Sequence, residues 1–99
     1  MLLIKKPYEF VWDKGNKDKN LQEHQISNTE CEEVFFDSNK KLLRDKIHSK
    51  KEKRYVLLGK TKTKNLLFIV FTLRGKKIRI ISARRISKQR EVKLYEKTN

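Results

Sequence analysis

The run Leu66-Leu67-Phe68-Ile69-Val70-Phe71-Thr72-Leu73 restricts most strongly what this chain can fold into. Apolar side chains fall on both alternating faces, so as a strand it must be covered above and below. It is far shorter than the roughly 20 apolar residues of a membrane helix. Lys60 to Lys64 reads as a basic turn before it. Arg74-Gly75 after it reads as a compact turn into a hairpin partner, Lys76 to Arg85. Arg54 to Gly59 is a further strand, stopped at Gly59, and Lys40 to Leu43 is a short candidate strand. Asp45 to Lys53 is a charged connection between them.

Upstream, Tyr8-Glu9-Phe10-Val11-Trp12 alternates and predicts a first strand with one buried face. Asp13 offers an N-cap to a helix over Lys14 to Glu23, with Leu21 as its packing residue and His24-Gln25 closing it. Ser27-Asn28-Thr29-Glu30 fits a capping box, opening a helix to about Phe36. Cys31, Val34 and Phe35 form its apolar stripe, while Glu32, Glu33 and Asp37 are expected to face water. Ser87 caps a last helix through about Tyr95 to Glu96. This order predicts an α+β domain: a mainly antiparallel twisted sheet with two N-terminal helices and one C-terminal helix. With 99 residues, one domain spanning 1–99 is expected. A chain this size buries roughly two-thirds of its unfolded surface, which leaves a shallow groove for any chemistry.

Charge is distributed as unevenly as hydrophobicity. Residues 1–49 hold nine Lys or Arg against nine Asp or Glu, whereas residues 50–99 hold seventeen against three. The net charge of +14 therefore belongs to the second half, the footprint of a polyanion partner. Solubility alone needs a net charge of only about 2–8. A single cysteine, Cys31, excludes an internal disulfide or a cysteine zinc site and is simplest as a small core residue. Met1-Leu2-Leu3-Ile4 runs directly into Lys5-Lys6-Pro7, without the pattern of a signal peptide. The expectation is a cytoplasmic protein with no membrane association.

A register pairing Val70 with Arg79, Phe68 with Ile81 and Leu66 with Ala83 is permitted by the Arg74-Gly75 turn. It places Arg79, Ile81, Ala83 and Arg85 on one face, and Ile78, Ile80, Ser82 and Arg84 on the other. Guanidinium groups on a rigid strand match phosphate bidentately, although snorkelling at strand ends is an alternative. Trp12 reads as a core anchor, and His24 as a partner of a helix C-terminus.

Several motifs together resemble the BrnT-type toxin family. They are Phe10-x-Trp12-Asp13, Asn20-x-x-x-His24-x-Ile26-Ser27, Asp45-x-x-His48, Glu52-x-Arg54, Gly59, Phe71-Thr72 and Arg74-Gly75. The block Ile78-Arg79-Ile80-Ile81-Ser82-Ala83-Arg84-Arg85 is the most specific, and Arg90-Glu91 and Tyr95 fit the closing helix. Two departures stand out: Asn16 occupies the place of a usual lysine, with Lys17 one position late, and Ile86 that of a small residue.

The resemblance implies a RelE-like, metal-independent ribonuclease toxin of a type II toxin–antitoxin pair, with no cofactor. Its expected partners are RNA and a ribbon-helix-helix antitoxin, with DNA met only through the antitoxin complex. The basic half independently offers only Glu52, Glu91 and Glu96 as acids, too few where a two-metal nuclease needs clustered carboxylates. The implied reaction is attack of the ribose 2′-hydroxyl on its own phosphodiester. His48 is a candidate acid or base, or else an exposed loop histidine. Glu52 is a candidate base, or else a charge partner of its basic neighbours. Arg54, Arg79 and Arg84 are candidate transition-state stabilisers. Arg85, Lys50, Lys51, Lys53 and Lys77 are candidate phosphate contacts, and Lys60, Lys62 and Lys64 are further such contacts or solvated turns. The competing expectations are a non-catalytic nucleic-acid-binding module, or a degenerate toxin kept to complete a repressor complex.

Overall fold

The computed structural model describes residues 6–45 and 52–97. Its apolar run is β3 (Leu66–Arg74), inside a four-stranded antiparallel sheet. The order is β1 (Lys41–Asp45), β2 (Arg54–Lys60), β3, β4 (Lys77–Arg85). Both faces of β3 are covered, as its sequence demands. Leu67, Ile69 and Phe71 enter the main core with Leu57, Ile78, Ile80 and Ala83. Leu66, Phe68 and Val70 pack on the other face against Val56, Leu58 and Tyr95, the last carried by α3 (Gln89–Glu96). α1 (Lys19–His24) and α2 (Asn28–Val34) cover the main-core face. This is the expected α+β arrangement, two helices before the sheet and one after it. Among the described residues no helix is long and apolar enough to cross a membrane.

The capping box forms as expected. The Ser27 hydroxyl accepts from the Glu30 amide at 3.1 Å, and the Glu30 carboxylate accepts from the Ser27 amide at 3.0 Å. Cys31, Val34 and Phe35 are fully buried, and burial pushes the Cys31 thiol up to about 12. The three carboxylates expected to face water instead tie α2 to other elements. Glu32 accepts the Trp12 indole N–H at 2.7 Å, and Glu33 accepts the Lys62 amide at 3.0 Å. Asp37 accepts the Tyr95 hydroxyl at 2.6 Å and the Lys60 amide at 2.8 Å. Helical periodicity names the outward face but not the elements that lie across from it.

The N-terminal region departs further from expectation. Tyr8 to Trp12 is not a full strand: it makes one parallel bridge, Phe10 to Ile78, with 2.8 Å bonds from the Val11 amide to the Ile78 carbonyl and from the Ile78 amide to the Glu9 carbonyl. Residues 14–18 are turns rather than helix, and Asp13 does not cap α1. Leu21 is 47 % exposed rather than packed, and α1 instead buries Asn20. His24 and Gln25 do close the helix, with Gln25 at φ 58.

Two buried asparagines continue along β4 where the strand pairing ends. Asn16 donates to the carbonyls of Val11 at 2.8 Å and Ile80 at 2.9 Å, and Asn20 accepts from the Ala83 amide at 2.9 Å. Their side-chain amides occupy places a neighbouring strand would otherwise fill.

The hairpin register also differs. Arg74 pairs with Lys77 across Gly75-Lys76, and Gly75 supplies the positive φ of 64 that such a short connection requires. Thr72 faces Arg79, Val70 faces Ser82, Ile69 faces Ala83 and Phe68 faces Arg84, with an irregularity where Ile81 is passed over. This bulge rephases the strand: Ile78, Ile80 and Ala83 share the core face, not Arg79 with Ala83 or Ile78 with Arg84.

β2 runs through Gly59 to Lys60 instead of stopping at the glycine. A Cβ at Gly59 would sit 2.7 Å from Val34 Cγ1 and 3.2 Å from the Val34 carbonyl, so the residue admits the end of α2. Gly59→Ala is expected to cost about 1–3 kcal/mol, read as a lower urea midpoint at unchanged slope. An unchanged midpoint would mean that α2 moves off the sheet without cost.

Candidate active site

The face of the sheet opposite the main core carries the arginines. Cross-strand pairing sets Arg54, Thr72 and Arg79 in one row, and Leu58, Phe68 and Arg84 in another. Arg79 and Arg84 share this face only because the bulge lies between them, which corrects the expectation that they point to opposite sides. Four strand steps separate them, about 13 Å along the sheet.

Each of these two guanidinium groups is held by a carboxylate from another element. Arg79 contacts Asp13 through Nη2 at 3.0 Å and Nε at 3.3 Å, with its side chain 16 % exposed. Asp13 also accepts the Gly15 amide at 2.9 Å. A Cβ at Gly15 would lie 2.7 Å from Arg79 Nη2, so the glycine leaves room for the guanidinium. The hydrogen bond from Arg79, then that from Gly15, hold the Asp13 carboxyl below its ordinary value.

Arg84 is fixed more completely. Its guanidinium lies 4.1 Å from the Phe68 ring centroid and forks onto Glu91 at 3.1 and 2.8 Å. Glu91 is only 7 % exposed, and the bond from Arg84 outweighs burial to keep its carboxyl below the usual range. A forked carboxylate uses two of a guanidinium's five N–H groups, so three remain for a phosphate.

The other expected site residues are more scattered. Arg54 stands half-buried in the row with Thr72, whose hydroxyl donates to the Lys53 carbonyl at 2.8 Å. Glu52 forms a 3.5 Å ion pair with Arg74. Lys53 and Lys77 are exposed, the latter at the hairpin end. Arg85 is set apart: it pairs with Leu67 on the core-face side and donates to the His24 carbonyl at 3.0 Å, where it caps the end of α1. His24 is thus at the helix C-terminus as expected, with Arg85 rather than its own ring bonded there. His48, Lys50 and Lys51 lie outside the described residues.

Sequence reasoning missed the carboxylate holders Asp13 and Glu91 and the ring of Phe68. The available signal was Glu91 itself, one of only three acids in the basic half. Asn16, in the place of a usual lysine, is 1 % exposed and fully occupied with backbone, so in this chain that position builds the fold.

Asp13, Asp37 and Glu91 have folded values below their ordinary 3.8, 3.8 and 4.5. For Asp37, burial pushes upward but is outweighed by hydrogen bonds from Tyr95, Asn39 and Lys60. The stability such groups contribute is fully present above the ordinary values and is lost as pH falls through the depressed ones. Glu91→Gln should lower stability at neutral pH and flatten its decline between about pH 5 and 2. Parallel curves for the variant and the wild type would show that Arg84 and Glu91 do not hold each other.

The model of the ribonuclease toxin BrnT, of type II toxin–antitoxin systems, matches residues 12–90, from the Trp12 anchor to the second residue of α3. No curated protein matches the chain. The matched segment contains the whole sheet, both carboxylate-held arginines and the bulge between them. This chain belongs to the BrnT family of type II toxin–antitoxin ribonuclease toxins.

Proposed function

We propose that this chain is a metal-independent endoribonuclease toxin of RelE-like, single-domain construction, acting in the cytoplasm and neutralised by a ribbon-helix-helix antitoxin. The observation that carries this reading is the gathering of Arg54, Arg79 and Arg84 on one sheet face, with Arg79 and Arg84 preoriented by Asp13 and Glu91. Preoriented donors aimed at developing charge are the largest single source of catalysis in such reactions.

In the proposed reaction the ribose 2′-oxygen loses its proton and bonds to the adjacent phosphorus. The bond from phosphorus to the 5′-oxygen breaks, and that oxygen takes up a proton. The products are a 2′,3′-cyclic phosphate and a 5′-hydroxyl end. Arg79, with Arg54 across Thr72, would receive the phosphorus oxygens as their charge grows. Arg84 would hold a neighbouring phosphate. Glu52 and His48 remain the candidates for moving the two protons, with Glu52 two residues before the arginine row and released from Arg74 on binding. Metal independence is supported by the use of the local acids. Among the described residues no group of three or more acids, histidines or cysteines gathers as a metal site would need, and Glu91 beside Arg84 is held by that arginine.

The engagement of Arg79 and Arg84 by carboxylates also favours a second reading, a chain that binds RNA or completes a repressor complex without cutting. Incubation with RNA in EDTA, with and without ribosomes, separates the two. Cleavage leaving 2′,3′-cyclic phosphate ends is expected, slowed roughly a hundredfold by Arg79→Ala at unchanged folding. RNA that is bound but intact in both conditions would replace the catalytic reading with the binding one.

A further inference from the structure

At the end of the sheet far from the row of Arg54 and Arg79, a cleft of about 660 Å³ opens between the end of α2, the Lys60–Lys64 turn and α3. Phe36 lines it and is 58 % exposed, the most exposed large apolar residue among those described. Tyr95 forms part of another wall, its hydroxyl bonded to Asp37 and the Lys60 ammonium over its ring at 5.5 Å. A second, smaller notch of about 200 Å³ lies beside it, between Lys41, Leu43, Leu94 and Lys97. The chain neighbours Tyr95 and Leu94 join the two. Leu43 is 39 % exposed and Leu94 43 %. Together the two hollows make a strip that carries three exposed apolar side chains, Phe36, Leu94 and Leu43, and is lined by lysines 41, 60, 62, 64 and 97.

β1 borders this strip and is an outer strand of the sheet, and no other described strand pairs with its outward side. The cleft sits at the Lys60 end of β2, whereas the arginine row sits at its Arg54 end, about 20 Å away by strand rise.

We propose that this strip is the anchoring surface for the antitoxin, received as an acidic protein segment that presents apolar side chains. The proposal rests on the toxin reading only in taking the partner to be a protein antitoxin. The lysine rim asks for carboxylates, and the exposed phenylalanine and leucines ask for apolar side chains to cover them. RNA fits poorly here. Inside the lysine rim the cleft is lined by the Glu33 and Asp37 carboxylates, whose remaining lone pairs accept the N–H groups that a peptide backbone offers and a sugar-phosphate backbone lacks. Neither hollow is lined by an arginine, and of the two rings in the cleft Tyr95 is buried with Lys60 over its face, which leaves a base only Phe36 to stack on. Anchored at this end, the antitoxin can extend along the sheet toward the row of Arg54 and Arg79 without occupying it first.

The test uses the full chain and its cognate antitoxin. Phe36→Asp and Leu94→Asp are made separately and together, with folding checked by circular dichroism. Antitoxin affinity is measured by calorimetry, and RNA affinity with a fluorescein-labelled oligoribonucleotide. The expected result is antitoxin binding weakened about a hundredfold in the double variant, with RNA affinity unchanged. Unchanged antitoxin affinity would overturn the proposal. So would weakened RNA affinity at unchanged antitoxin affinity, which would make the strip part of the RNA path. A wild-type chain that binds its antitoxin but cuts no RNA would sink the catalytic reading and leave this one standing, since the variants are read by binding alone.

Discussion

A single extra residue in β4 decides how this molecule presents its charge. Strict alternation along Lys77 to Arg85 would place Arg79 and Arg84 on opposite faces. One of them would then enter the main core, where an unpaired guanidinium costs several kcal/mol. Passing over Ile81 shifts the phase by one, so Ile78, Ile80 and Ala83 all turn inward and both arginines turn outward. Everything described on the second face follows from that shift. Phe68 can lie under Arg84, Glu91 of α3 can reach it, and Arg79 can join the row with Thr72 and Arg54.

The carboxylates that meet these arginines come from opposite ends of the chain. Asp13 arrives from the turn before α1 and Glu91 from the start of α3, so closing the fold at both termini is also what orients the two cations. Neither contact is a strong stabiliser, because Asp13 and part of each guanidinium are in water. Their value is geometric: a side chain with four rotatable bonds is held in one place before a substrate arrives.

Elements governed by short-range rules were legible in the sequence. The capping box, the buried stripe Cys31-Val34-Phe35, the covered β3 and the α+β order all rest on periods of two or 3.6 residues and on local hydrogen bonds. What was not legible depends on residues far apart. The bulge cannot be read from Ile80-Ile81-Ser82, because either phase leaves isoleucine inside. It is settled by which phase keeps the arginines out of a core already filled by Phe35 and Phe71. Asn20 outranks Leu21 for burial because the Ala83 amide needs an acceptor there, and hydrophobicity scales do not register that demand. The site was half legible for the same reason. The arginines could be listed from composition, whereas their holders Asp13 and Glu91, 66 and 7 residues away, appear only once the register is known.

The asparagine contacts along β4 carry a further consequence for self-association. A strand at the border of a sheet is a template for copies of itself, and a sheet open at both borders can add copies without end. Here both backbone groups of Ile78, the Ile80 carbonyl and the Ala83 amide are taken by the N-terminal segment, Asn16 and Asn20, which cover this border of β4. With one border closed, strand-to-strand growth stops after a single pairing. Two copies could meet through β1, but a filament could not propagate through these molecules without first tearing the N-terminal segment from the sheet.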